Sequence, residues 1–147
     1  FRESPPIFDW AREHFAAHID RWGYQESRDD YEAALREADV IVSTANHEFF
    51  GISVVEAIAA GAYPLLPRRL AYPEILTSPA LPNPDEFFHD GGADQLARKL
   101  KLLADRVAHG DLWQGDPDRA ARTVARFHWT HLTPCFDRAL EQLGGTE

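Results

Sequence analysis

An α/β domain built around a parallel sheet is the architecture this chain specifies, and three features say so. Short apolar runs alternate with amphipathic helical stretches, the rhythm of parallel strands joined by helical crossovers. Val40-Ile41-Val42-Ser43 leads through a loop to Gly51 and a helical stretch closed by Gly61, a strand–loop–glycine–helix unit. Leu96, Leu100, Leu103 and Val107 mark the apolar stripe of a long helix from about Ala93 to Ala108.

The elements follow in order. Pro5 to Phe15 reads as a helix, with proline tolerated in its first turn because that N–H is unsatisfied in any case. His18 to Trp22 reads as a short strand ended by Gly23. Ser27 starts the next helix, with Asp30 three residues on as a capping-box variant and Tyr31, Ala34, Leu35 and Ala38 facing inward. The β-branched run Val40–Ser43 is the expected central strand. Gly51 to about Ala60 is a helix with Gly61 as its C-terminal glycine. Ala62–Leu66 is a further strand, although Pro64 lacks a ladder donor and sits awkwardly in a central position. Pro67 to Pro84 is a proline-rich excursion with a short turn at Tyr72–Ile75, and Glu86-Phe87-Phe88 reads as a small edge strand. Pro117 opens a helix behind Asp116. A final helix follows Phe127-His128-Trp129, running to Leu143 and ended by Gly144-Gly145. No repeat, low-complexity tract or linker divides the chain, so residues 1–147 read as one domain.

Composition narrows the function. With 147 residues, 44% of them hydrophobic, the chain can bury one core. No apolar run approaches the length of a membrane span. Cys135 is the sole cysteine, so no internal disulfide forms and a cytoplasmic setting is expected. The net charge of −9 argues against a basic nucleic-acid face on this chain. Its 13 arginines are dispersed, with Arg68-Arg69 the one adjacent pair. Phe1-Arg2-Glu3-Ser4-Pro5-Pro6 has neither an initiating methionine nor a signal pattern and reads as a cut edge, so the chain is expected to be a fragment. An exposed sheet edge left by such a cut would invite self-pairing into a dimer.

The most informative stretch is His47-Glu48-Phe49-Phe50-Gly51-Ile52-Ser53-Val54-Val55-Glu56-Ala57. It places Glu48 and Glu56 on either side of a glycine that opens a helix. A helix N-terminus presents unpaired N–H groups and a positive dipole end, a natural seat for phosphate. Glu56 lies about 9 Å along the axis from Phe50. A nucleotide sugar carries its diphosphate between a hexose and a ribose, so one carboxylate on each side of the seat can accept hydroxyls from both ends. The plainer reading makes Glu48 a solvated loop residue and Glu56 a charge on a wet helix face. Against it, Glu56 stands among Val55, Ala57, Ile58, Ala59 and Ala60. So apolar a helix is expected to be buried, and a buried charge needs a partner.

Other constellations carry less. His14 and His18 are four apart, as are zinc ligands on one helix, but no third ligand accompanies them. His128 and His131 have the same weakness. Asp116-Pro117-Asp118 looks like a metal-binding Asp-x-Asp, yet an N-cap before a helical proline accounts for it. No metal site is expected. Ser53 lacks a nucleophile-elbow context. Glu74 is expected to cap the short turn at Tyr72. Arg68 can reach a phosphate or remain solvated.

The spacing Glu48-x7-Glu56, followed by Ala57-Ile58-Ala59-Ala60-Gly61-Ala62-Tyr63-Pro64, resembles the C-terminal, donor-binding domain of family 4 glycosyltransferases. Those enzymes have two facing Rossmann-like domains, the GT-B architecture. Trp22-Gly23-Tyr24, Asp29-Asp30-Tyr31, Ala38-Asp39-Val40, Ser43 to Gly51, Tyr72-Pro73-Glu74-Ile75 and Phe127-His128-Trp129 are similar to the tRNA-queuosine alpha-mannosyltransferase family. The resemblance implies that Glu48 contacts hexose hydroxyls and Glu56 the ribose. It implies that the N–H groups of Gly51, Ile52 and Ser53 hold the diphosphate, with Tyr24 to Arg28 beside the nucleobase. It further implies GDP-mannose as donor, queuosine in a tRNA anticodon as acceptor, retention of configuration and no metal or other cofactor. The family's arginine–lysine phosphate clamp and its N-terminal domain would lie upstream of Phe1, so the isolated fragment is expected to be inactive. Three alternatives stand beside this: a family 4 enzyme glycosylating a lipid or polysaccharide from another nucleotide sugar, a non-catalytic nucleotide-binding regulatory module, and a structural domain.

Overall fold

The computed structural model describes residues 5–79, 81 and 84–144. They fall into two compact units, the first ending at Glu32 and the second beginning at Ala33.

In the first unit, helix α1 spans Pro6–His14 with proline at its start, Asp9 in its first turn and Arg12 and His14 in its last, the arrangement the helix dipole favours. His14 stacks on Trp10 with ring centroids 4.7 Å apart, which gives it an aromatic role. The strand expected over His18–Trp22 is absent. A single-turn 3-10 helix, Ala16–His18, occupies its start and turns the backbone onto itself through the His18 N–H to the Phe15 carbonyl, 2.8 Å. Helix α2 (Arg28–Glu37), whose residues from Ala33 on belong to the second unit, begins as expected: Ser27 Oγ accepts the Asp30 N–H at 3.0 Å and donates to the Asp30 carboxylate at 2.6 Å. Tyr31, Ala34, Leu35 and Ala38 are all half-buried.

The second unit holds three parallel strands, β1 (Val40–Val42), β2 (Tyr63–Pro67) and β3 (Phe88–His89), in the order β1-β2-β3. Helices α3 (Ile52–Ala59), α4 (Tyr72–Leu76), α5 (Ala93–Ala108), α6 (Arg119–Val124) and α7 (Trp129–Gly144) accompany them. The expected central strand is therefore corrected: β2, buried along its whole length, lies between the other two, and Val42 of β1 is partly exposed. Pro64 is admitted because strand residues alternate sides. Tyr63 donates to the Asp39 carbonyl and Leu65 accepts from the Ser43 N–H, so odd-numbered residues bond β1. Pro64 faces the other way, and pairing with β3 begins only at Leu66 opposite Phe88. The missing donor costs nothing at that register. The expected strand Glu86–Phe88 is displaced: Pro84–Phe87 forms a 3-10 turn, and the strand is Phe88-His89.

Further corrections are local. Helix α6 starts at Arg119, two residues after Pro117. Asp116 is no N-cap; its Oδ1 accepts the Asp118 N–H at 2.9 Å and its carboxylate pairs with Arg122. That guanidinium holds the Asp116 carboxyl below the usual carboxylate range. Glu74 supplies no side-chain cap to α4. The helix is instead closed at its far end by Arg126, which donates to the carbonyls of Glu74, Ile75 and Thr77. Helix α5 matches its expected span, with Leu103 buried, Leu96 and Leu100 half-buried and Val107 more exposed. Helix α7 reaches Gly144 and carries Pro134 inside it; Gly145 lies outside the described residues. Among the described residues no helix is long and apolar enough to cross a membrane.

The core gathers Ile58 of α3, Leu65 and Leu66 of β2, Tyr72, Ile75 and Leu76 of α4, Phe87, and Val124 of α6. Each such aliphatic side chain contributes about 1.5–3 kcal/mol through burial. Tyr63 packs on Phe87 and Trp113, both at 4.9 Å between centroids, and its hydroxyl donates to Glu86 at 3.1 Å. Glu86 also pairs with Arg119 at 3.0 Å. Burial, and then the adjacent carboxylate of Glu86, push the Tyr63 phenol above its ordinary range. The folded phenol thus keeps a proton that the unfolded one would lose. Its contribution to stability is full below about pH 10 and declines as pH rises beyond that. Tyr63→Phe should flatten this alkaline decline, read as denaturation midpoints taken from roughly pH 9 to pH 11.

Candidate functional site

Ligands of parallel α/β sheets sit beyond the C-terminal ends of the strands. Three loops meet at that end here, and short polar contacts tie them together. After β1, the Ser43 hydroxyl lies 2.8 Å from the Tyr72 hydroxyl of α4 and accepts the Ala45 N–H at 3.2 Å. The Ser43 carbonyl lies 3.0 Å from Nε2 of His89, at the end of β3. His89 is 2% exposed, and its Nδ1 accepts the Gly91 N–H at 3.1 Å. With Nδ1 accepting, Nε2 carries the ring proton and donates to Ser43. This bond fills a gap in the sheet. In the β1–β2 register, residue 67 would donate to the Ser43 carbonyl, but Pro67 has no N–H to give.

The loop from Ser43 carries Glu48 to the start of α3. Glu48 Oε1 accepts two backbone N–H groups, those of Phe49 and Gly51, each at 3.0 Å. Its other oxygen has no hydrogen bond among the described residues. Gly51 is left-handed, φ +83°, and buried; a Cβ there would stand 3.1 Å from the Tyr72 ring. Only glycine meets both demands. The Gly51 carbonyl then receives the first intrahelical bonds, from Val54 and Val55 at 3.0 Å. Helix geometry leaves the N–H groups of Ile52 and Ser53 without intrahelical acceptors, and both residues are exposed.

Each expected site residue now has a place. Glu48 and Gly51 are joined by a hydrogen bond, and Ile52, Ser53 and Glu56 share the exposed side of α3. One part of the expected diphosphate seat is already occupied, since the Gly51 N–H is bonded to Glu48. The expectation that Glu56 is a buried charge is corrected. Helix α3 buries only Val54, Ala57 and Ile58, and Glu56 lies on the opposite, solvent-facing side with Ile52. Apolar composition all round a short helix does not compel burial all round it. Tyr24 and Arg28 belong to the first unit, where they line a groove of about 640 Å³ with Gly23, Gln25, Glu26, Ser27 and Tyr31. Tyr24 is 91% exposed, and Arg28 pairs with Glu32 at 2.7 Å. Arg68 is engaged by Asp85 at 2.5 Å and lies over the Phe88 ring.

Residues 6–107, more than two thirds of the chain and every strand of the sheet, match the family model described as glycosyl transferases group 1. The chain belongs to that family. Over 75 residues it is 39% identical to the tRNA-queuosine alpha-mannosyltransferase of Drosophila melanogaster, a stretch covering 51% of this chain and 20% of that protein. The chain thus spans about a fifth of the curated relative it matches. No solved structure matches it significantly. For a glycosyl transferase domain of this group, the polar contacts around Ser43 are what sequence reasoning missed. His89 was legible only as a histidine ending an apolar pair, and Tyr72 only as part of a turn.

Gly51→Ala should cost about 1–3 kcal/mol, since it forces a side chain into left-handed backbone against Tyr72. Chemical denaturation checks this, and amide exchange should quicken first in the 43–51 loop.

Proposed function

We propose that the native protein carrying this chain is a retaining hexosyltransferase and that this chain is its donor-binding, C-terminal domain. The observation that carries the reading is the way Glu48 is held. One carboxylate oxygen is fixed by two backbone N–H groups at the mouth of α3, and the other is left to accept from a ligand. That second oxygen suits the hydroxyls of a hexose. The unpartnered N–H groups of Ile52 and Ser53 suit the adjoining diphosphate. Glu56, on the same exposed side of α3, suits the ribose. The transferred sugar is mannose and the acceptor queuosine in tRNA, a reading supported by the name of the curated relative, and GDP-mannose is the donor that the sequence resemblance implies. The work takes place in the cytoplasm, with a second domain facing this one.

The glycosidic bond breaks through an oxocarbenium-like state, and the leaving diphosphate takes up the bond's electron pair. It is stabilised by the helix N-terminus without a metal or cofactor. A diphosphate oxygen accepts the proton of the attacking hydroxyl on the same face, so configuration is retained. Glu48 positions the hexose and is not the nucleophile.

In the native protein, Glu56→Gln should weaken GDP-mannose binding by about 1–3 kcal/mol, the scale of a lost charge-assisted hydrogen bond. Calorimetry checks it, and unchanged affinity would remove Glu56 from the site. A panel of GDP, UDP and ADP sugars, offered with tRNA and with lipid acceptors, separates this reaction from lipid or polysaccharide glycosylation.

A further inference from the structure

Arg69 is the cation this site does not yet explain. The chain carries 24 acidic residues against 15 lysines and arginines, and several arginines are ion-paired: Arg68 with Asp85, Arg119 with Glu86, Arg122 with Asp116. Arg69 is half-buried, yet no carboxylate among the described residues lies within ion-pair distance of it. Among the described residues its one side-chain hydrogen bond runs from Nε to the Ala45 carbonyl at 3.1 Å, in the same loop that carries Glu48. That bond fixes the plane of the guanidinium and leaves both Nη groups without acceptors among the described residues. On its other side the guanidinium lies against Gly91, where a Cβ would stand 3.4 Å from Nη1 and where φ is +92°. The residue after it, Leu70, is held at φ +60°, a conformation costly for a leucine. Backbone strain, a bare glycine and an anchored Nε thus combine to hold an unpaired fork above the end of β2.

We infer that Arg69 binds a substrate phosphate group through its two Nη groups. The inference rests on the glycosyl-transfer reading above and adds a residue to it. A planar fork with two outward donors matches phosphate oxygens in bidentate fashion. The location, beyond the C-terminal ends of parallel strands and bonded to the Glu48 loop, is where the substrates of such a sheet lie. The phosphate belongs either to the diphosphate of the donor or to the backbone of the RNA acceptor.

The test compares Arg69→Gln, Arg69→Lys and Arg68→Gln with the wild type, in this chain and in the native protein carrying it. The probes are GDP, inorganic pyrophosphate and an anticodon stem-loop RNA, each titrated at several salt concentrations. Matched thermal unfolding confirms that each variant folds. Arg69→Gln should weaken at least one probe about tenfold and flatten its salt dependence. Arg69→Lys keeps the charge but loses both the fork and the Nε bond, so its affinity should fall between those of the wild type and Arg69→Gln. Arg68→Gln should change nothing. Loss for GDP assigns the phosphate to the donor, and loss for RNA alone assigns it to the acceptor. Wild-type affinity of Arg69→Gln for all three probes overturns the inference. So does an equal loss in the lysine and glutamine variants, which would make Arg69 a loop anchor and nothing more. If the wild type binds neither GDP nor RNA yet holds pyrophosphate through Arg69, the transferase reading fails and this one stands; binding of none of the three sinks both.

Discussion

Gly51 turns left-handed against the ring of Tyr72, and most of the candidate site depends on that turn. It aims the residue's own N–H at Glu48 and its carbonyl into the first turn of α3. Because the loop is also fastened through Ser43 to Tyr72 and His89, the Glu48 carboxylate is oriented before any ligand arrives. Order of this kind lowers the entropy lost on binding, the general advantage of a preorganised site. The apolar packing of α3, α4 and β2 beneath it supplies the rigidity.

Much of this was readable from residues alone, because the signals were local. Ser27 and Asp30 are three apart, and a cap needs no knowledge of the rest of the molecule. The stripe on α5 repeats at helical spacing, and the strand–loop–glycine–helix unit is contiguous. What escaped depended on partners far along the chain. His18–Trp22 has strand-like composition, but a strand exists only where a neighbour pairs with it. The rank of β1 and β2 in the sheet turned on which strand lay between two others. The burial of Glu56 turned on which side of α3 met the core.

The site shows the same division. Glu48 and Gly51 are three residues apart, and their bond follows from loop geometry. Ser43 with His89 spans 46 residues, and Ser43 with Tyr72 spans 29. Such contacts leave no mark on spacing, hydropathy or charge. Arg68 and Arg69 are adjacent and chemically identical, yet the turn that follows β2 sends one to Asp85 and the other to the Ala45 carbonyl.

Pro67 and His89 form a coupled pair although they never appear together in any local pattern. The imidazole donates to the carbonyl that a backbone amide at position 67 would otherwise claim. Replace the proline alone, and two donors compete for Ser43; replace the histidine alone, and that carbonyl is stranded in the interior. The two positions are therefore expected to drift in concert, so that an ordinary residue at 67 should release position 89 to become something other than histidine.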